Sequence, residues 1–177
     1  MATTYTLIEA KTISTPITSI TFAAIPQTYN DLKICVSARS SQNSTRENII
    51  LGLNTYNSNS GFNWVGFYNY GGTSLGSNKS PAAYRIIGDI PANANNSNIF
   101  SNSEIYIPNY STTGTHISNG DGVVETIGTT NQFIGFNMVA FTGASIAITD
   151  VIINCGAGAT YNFMAGSKFY LYGIKKQ

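Results

Sequence analysis

The chain has 177 residues, enough for one ordinary domain with a sizeable core and too few to expect two. Charged residues make up only 10 % of it, against about 25 % in a typical soluble domain, and its net charge is +1. That balance excludes long solvent-facing helices, which need Glu, Lys and Arg on their outer faces. It also leaves no electrostatic footprint for nucleic acid or an anionic membrane.

The N-terminal stretch Met1-Ala2-Thr3-Thr4-Tyr5 lacks the basic segment and apolar run of a signal peptide. No segment approaches the roughly 18 apolar residues of a membrane span. Synthesis in a cytoplasm, without export by a signal-peptide route, is the expectation. Lys175 and Lys176 form the one basic cluster and read as a solvated tail.

Period-two alternation then recurs along the chain. Leu32, Ile34, Val36 and Ala38 share one face of a strand whose other face holds Lys33, Cys35, Ser37 and Arg39. Ile49, Leu51 and Leu53 repeat the pattern, as do Tyr84 with Ile86, Ile105 with Ile107, and Ile134, Phe136 and Met138. Ser145–Thr149 and Val151–Cys155 are rich in β-branched residues, and Lys168–Ile174 closes the chain as an aromatic strand. Between these runs, 54–61, 71–81, 91–98, 109–122 and 156–159 are too rich in Gly, Asn, Ser and Pro to be helical. The expected fold is all-β: a single-domain antiparallel β-sandwich over residues 1–177, jelly-roll-like, of about eight to ten short strands. A barrel of the same strands is the competing closure.

The chemistry-bearing residues are sparse. Nucleophilic catalysis of the Ser-His-Asp type needs a base, and the one histidine, His116, falls with Asp121 in the stretch Thr112–Gly122, which reads as a surface loop. The eight carboxylates stand singly in sequence, so no acid–base pair can be named. Asn119-Gly120-Asp121-Gly122 has calcium-friendly oxygens without the register of a binding loop, and reads as a tight hairpin turn. Cys35 and Cys155 lie inside apolar runs as two buried thiols, with no CxxC spacing. No catalytic residue, metal site or cofactor is therefore expected. The candidate contact surface is the aromatic run around Trp64, Phe67, Tyr68 and Tyr70, where Tyr and Trp beside Asn-rich loops can stack on sugar rings or anchor a protein interface. The competing reading has Trp64 and the phenylalanines filling the core.

Three stretches carry a resemblance. They are Ser19-Ile20-Thr21-Phe22-Ala23-Ala24-Ile25-Pro26 with its continuation through Asp31-Leu32-Lys33-Ile34 to Ser40, then Glu104-Ile105-Tyr106-Ile107-Pro108-Asn109-Tyr110, and the closing Phe169-Tyr170-Leu171-Tyr172-Gly173-Ile174. In this order the chain resembles a family of virion structural proteins of marine and freshwater tailed phages, cyanophages among them. The resemblance implies a non-enzymatic particle component and transfers no binding residues. The first expectation is a capsid decoration (cement) protein on the head exterior, a homotrimer whose partners are the major capsid protein or other virion proteins. The alternative is a tail-fibre or receptor-binding protein that touches host glycans through Trp64 and Tyr68. A tail enzyme that degrades glycans is the third, and it requires a carboxylate pair.

Overall fold

The computed structural model describes residues 4–58, 60–71, 75–81, 85–95, 97–125 and 132–175. Tyr84 and Lys176 lie outside the described residues, as does the side chain of Tyr70. Twelve strands are present there, with one short 3-10 turn at Ala157–Ala159 and no α-helix. They are β1 (Thr4–Thr12), β2 (Ser19–Phe22), β3 (Asp31–Ser37), β4 (Arg46–Leu53), β5 (Phe62–Tyr70), β6 (Gly76–Pro81), β7 (Ile86–Pro91), β8 (Ser103–Ile107), β9 (His116–Val124), β10 (Phe133–Phe141), β11 (Val151–Cys155) and β12 (Lys168–Lys175).

Two antiparallel sheets result, in the orders β1-β12-β3-β8-β9-β10-β5-β6 and β2-β11-β4-β7. Among the described residues both sheets keep free edges, so the closure is a sandwich and not a barrel. The quartets β1-β12-β3-β8 and β2-β11-β4-β7 reproduce the two facing arrays of a jelly roll, with the chain crossing between sheets at each step from β1 to β4. Two hairpins are inserted into this frame. β5–β6 lies between β4 and β7 in sequence, β9–β10 lies between β8 and β11, and together they widen one sheet to eight strands.

The strand count exceeds the expected eight to ten because two segments with turn-like composition are strands. β6 (Gly-Ser-Asn-Lys-Ser-Pro) is an edge strand, where polar residues and a terminal proline are tolerated. β9 contains Asn119-Gly120-Asp121-Gly122, so the expected hairpin turn there is wrong. Its glycines have a different purpose: they admit the backbone of β7. A Cβ at Gly120 would sit 2.0 Å from Ile87 O, and one at Gly122 would sit 2.7 Å from Asp89 N. Conversely, Ser145–Thr149 is not a strand but an irregular segment, with Ile148 N donating to Tyr110 O (2.8 Å).

The core fills from the alternating inner faces. Leu32, Ile34, Val36 and Ala38 are fully buried, as are Ile49, Leu51, Leu53, Ile105 and Ile107. In β7 a register irregularity opposite Ile49/Ile50 puts Ile87 and Ile90 both in the core, while Ile86 is half-buried. In β10 the parity runs opposite to the simplest reading. Phe133, Val139 and Phe141 face inward, and Ile134 and Phe136 face out.

The three stretches that carry the resemblance are spatial neighbours. β12 pairs with β3, and β3 pairs with β8. Asp31, fully buried at the start of β3, accepts hydrogen bonds from Asn109 N (2.9 Å) and from Tyr106 Oη (2.5 Å). Tyr110 Oη donates to Pro26 O, tying the Ile25-Pro26 segment that follows β2 to the loop after β8. These residues are scaffold.

Candidate contact surface

The alternation of β5 splits the aromatic run between the two faces of the wide sheet. Trp64 is buried, 7 % exposed, and points inward; Tyr68 is half-buried on that same side, its ring 6.0 Å from that of Phe133. Phe67 is 40 % exposed and points outward. Tyr70 ends the strand and its side chain is outside the described part. The four residues therefore do not form one patch. Trp64 follows the core reading, and Phe67 belongs to a different surface.

That surface is the outer face of β9, β10 and β5. Register places Phe136 beside Phe67 and Asp121, Met138 beside Val65 and Asn119, Ala140 beside Asn63 and Ile117, and Ile134 beside Asn69 and Val123. Ile134, Ile117, Val123 and Phe136 are exposed like Phe67, in contrast to the fully buried apolar residues of β3 and β4. A hollow of about 450 Å³ lies on this face, lined by Asn63, Val65, Ile117, Met138 and Ala140, with Lys79 contributing. β10 is thus apolar on both faces, a pattern that ordinarily accompanies a strand covered on both sides. The alternation of Ile134, Phe136 and Met138 marks one apolar face of a strand, and Phe133, Val139 and Phe141 form another on the opposite side, so the pattern alone does not say which of them the core covers.

Towards β1 the same face turns polar. Lys33 Nζ pairs with Glu104 Oε2 at 2.7 Å and lies 5.7 Å from the Tyr5 ring centroid. Hydrogen bonding to Glu104 holds the Lys33 ammonium above its ordinary pKa. Tyr106 beside it is raised to about 12, by burial first and then by its bond to Asp31. Asp121 accepts from Glu104 N (2.8 Å), which links β8 to β9.

The remaining singled-out residues have structural placements. His116 is not in a surface loop: it opens β9, is 2 % exposed, and its Nε2 lies 2.8 Å from Ile146 O, to which it can donate. Asp121 occupies the opposite face of that strand, so the two make no dyad. Cys155 is buried with Sγ donating to Ser40 Oγ at 3.2 Å, whereas Cys35 is half-exposed on the outer face; both are free thiols. Among the described residues, no group of three or more His, Cys, Asp or Glu is placed to hold a metal ion. No protein-family model, curated protein or solved structure matches the chain.

Proposed function

We propose that this protein is a non-enzymatic structural component of a phage particle, most specifically a capsid decoration protein that docks on its neighbours through the outer face of β9, β10 and β5. The observation that carries the docking reading is the row of exposed apolar side chains on three adjacent strands, Ile117 and Val123, then Ile134 and Phe136, then Phe67. Contiguous apolar surface of this kind marks interaction sites in folded proteins. The phage context comes from the sequence resemblance, and a jelly-roll frame is in keeping with it because capsid domains use that frame repeatedly. The major capsid protein or a second copy of this chain, in a trimer, is the occupant this reading expects.

Docking and stability are separable here. Replacing Ile134 and Phe136 together by Ser removes exposed apolar area and leaves the core untouched, so the melting temperature should stay near that of the wild type. Head binding or self-association, read by co-sedimentation with heads lacking the protein and by native mass spectrometry, should be lost. A wild-type protein that remains monomeric and never binds heads ends this reading. A count of only a few to a few dozen copies per particle would move the protein to the tail.

A further inference from the structure

The inner side of the inserted hairpins holds a second feature, independent of the docking face. The eight-stranded sheet reaches beyond β7, the edge strand of the smaller sheet, and a cleft of about 140 Å³ opens where β5, β6 and β10 overhang β4 and β7. Its walls combine three aromatic rings with charged and amide groups: Trp64, Tyr68 and Phe133 with Arg46, Asp89 and Asn137.

Glycines shape the aromatic wall. The Trp64 ring lies over Gly66 of its own strand, where a Cβ would come within 2.6 Å of it, and Phe133 lies over Gly135 in the same way. The Tyr68 ring covers Gly76 on β6. Trp64 Nε1 reaches across to Asn137 and donates to its Oδ1 at 3.0 Å. An indole N–H can only donate, which fixes the amide orientation and turns Asn137 Nδ2 the other way. That Nδ2 is buried, the residue is 4 % exposed, and the group has no hydrogen-bond partner. A buried donor of this kind calls for an acceptor.

Asp89 and Arg46 supply the complement. Asp89 is 1 % exposed and accepts from Arg46 Nη1 at 2.5 Å, while the guanidinium lies 4.2 Å from the Phe133 ring centroid. The cleft is therefore lined by a buried amide whose Nδ2 lacks a partner, a carboxylate acceptor and a cation held by an aromatic ring, between apolar walls. Adjacent hydroxyls on a ring match this set, since each can donate to a carboxylate and accept from an amide or guanidinium. The ring's C–H face suits the aromatic wall.

We propose that this cleft binds a neutral sugar ring through a vicinal diol, with Asp89, Arg46 and Asn137 holding the hydroxyls and Trp64 and Tyr68 flanking the ring. The site does not rest on the capsid placement, because isolated protein tests it. Trp64 is the sole tryptophan of the chain, so intrinsic fluorescence reports on the cleft directly.

The probes are methyl glucoside, methyl galactoside and methyl mannoside, titrated against the intact protein. Fluorescence and the resonances of the Asn137 side-chain amide and the Trp64 indole N–H are followed together. At least one glycoside should give a saturable change in both signals with half-saturation at about 10 mM or tighter. Asp89→Asn should weaken it about tenfold or more, by removing the acceptor charge. Because that change also breaks the Arg46 pair, Asn78→Ala is the second variant. Asn78 is exposed on the edge strand β6 and lines the cleft, so its loss should weaken binding severalfold without unfolding. No response of the folded wild type to any of the three glycosides up to about 100 mM overturns the proposal. So does binding that is unaltered in both variants.

Discussion

Gly120→Ala tests the way the two sheets meet. In a strand, replacing Gly by Ala ordinarily stabilises by about 0.4–1 kcal/mol, because the unfolded chain loses freedom. At Gly120 the sign should reverse. The added Cβ would lie 2.0 Å from Ile87 O, whereas ordinary contact begins near 3.4 Å, so β7 must retreat by roughly 1.4 Å. The obstacle is a backbone carbonyl in a strand paired with β4, so no side-chain rotation relieves it. Overpacking of this kind typically costs about 1–3 kcal/mol. Lifting β7 also loosens Ile87, which is fully buried and worth about 1.5–3 kcal/mol when completely packed. Partial loss of that packing, less the unfolded-state gain, leaves a net destabilisation of about 2–4 kcal/mol. For a chain of this size that is a fall of roughly 5–15 °C in Tm. Urea unfolding followed by Trp64 fluorescence, with thermal circular dichroism beside it, measures the change. Asn119→Ala, one residue earlier and on the outer face, is the control and should move stability by less than about 0.5 kcal/mol. A Gly120→Ala protein as stable as the wild type, or more so, would refute the contact between β7 and β9.

Three further outcomes follow from buried groups. Burial lifts the Asp89 carboxyl from its ordinary 3.8 to about 6 even though Arg46 opposes the shift. The folded state then holds a proton that the unfolded state has released, so stability should fall by up to about 3 kcal/mol as pH rises from 4 to above 6. Asp89→Asn should flatten that decline, leaving the smaller same-sign part from Glu47, which burial also raises; parallel profiles for the two proteins would contradict it. Tyr106→Phe removes a donor to the buried Asp31 and should cost about 1–3 kcal/mol in urea unfolding, while a neutral result would mean that water replaces the hydroxyl. Cys155 is buried, with its thiol pushed up to about 12, and burial also raises Cys35, so native protein at pH 8 should take up one maleimide, slowly and at Cys35. Rapid labelling of both thiols before unfolding would show that β11 is not packed as described.

Local chemistry in the sequence was sufficient for the class of fold. Scarce charge, turn-forming clusters and the alternation at Leu32–Ala38, Ile49–Leu53 and Ile105–Ile107 already specify half-buried strands, because a pleated strand exposes its two faces to different surroundings and its residues record that difference. Alternation fails wherever both faces are apolar or both are polar. In β10 it could not say whether Phe133 or Ile134 faces the core, and the position of β7 over one side of the sheet decided the matter. Asn119–Gly122 has the composition of a turn, yet its glycines answer to a backbone more than thirty residues earlier in the chain. The same long-range packing buried His116 against Ile146 and divided Trp64 from Phe67. The jelly-roll order, with β1 beside β12, depends on pairings between the two ends of the chain. Such contacts leave no periodic mark in either strand alone, and so neither the apolar outer face nor the cleft beneath the overhang existed as a site until the sheets had assembled.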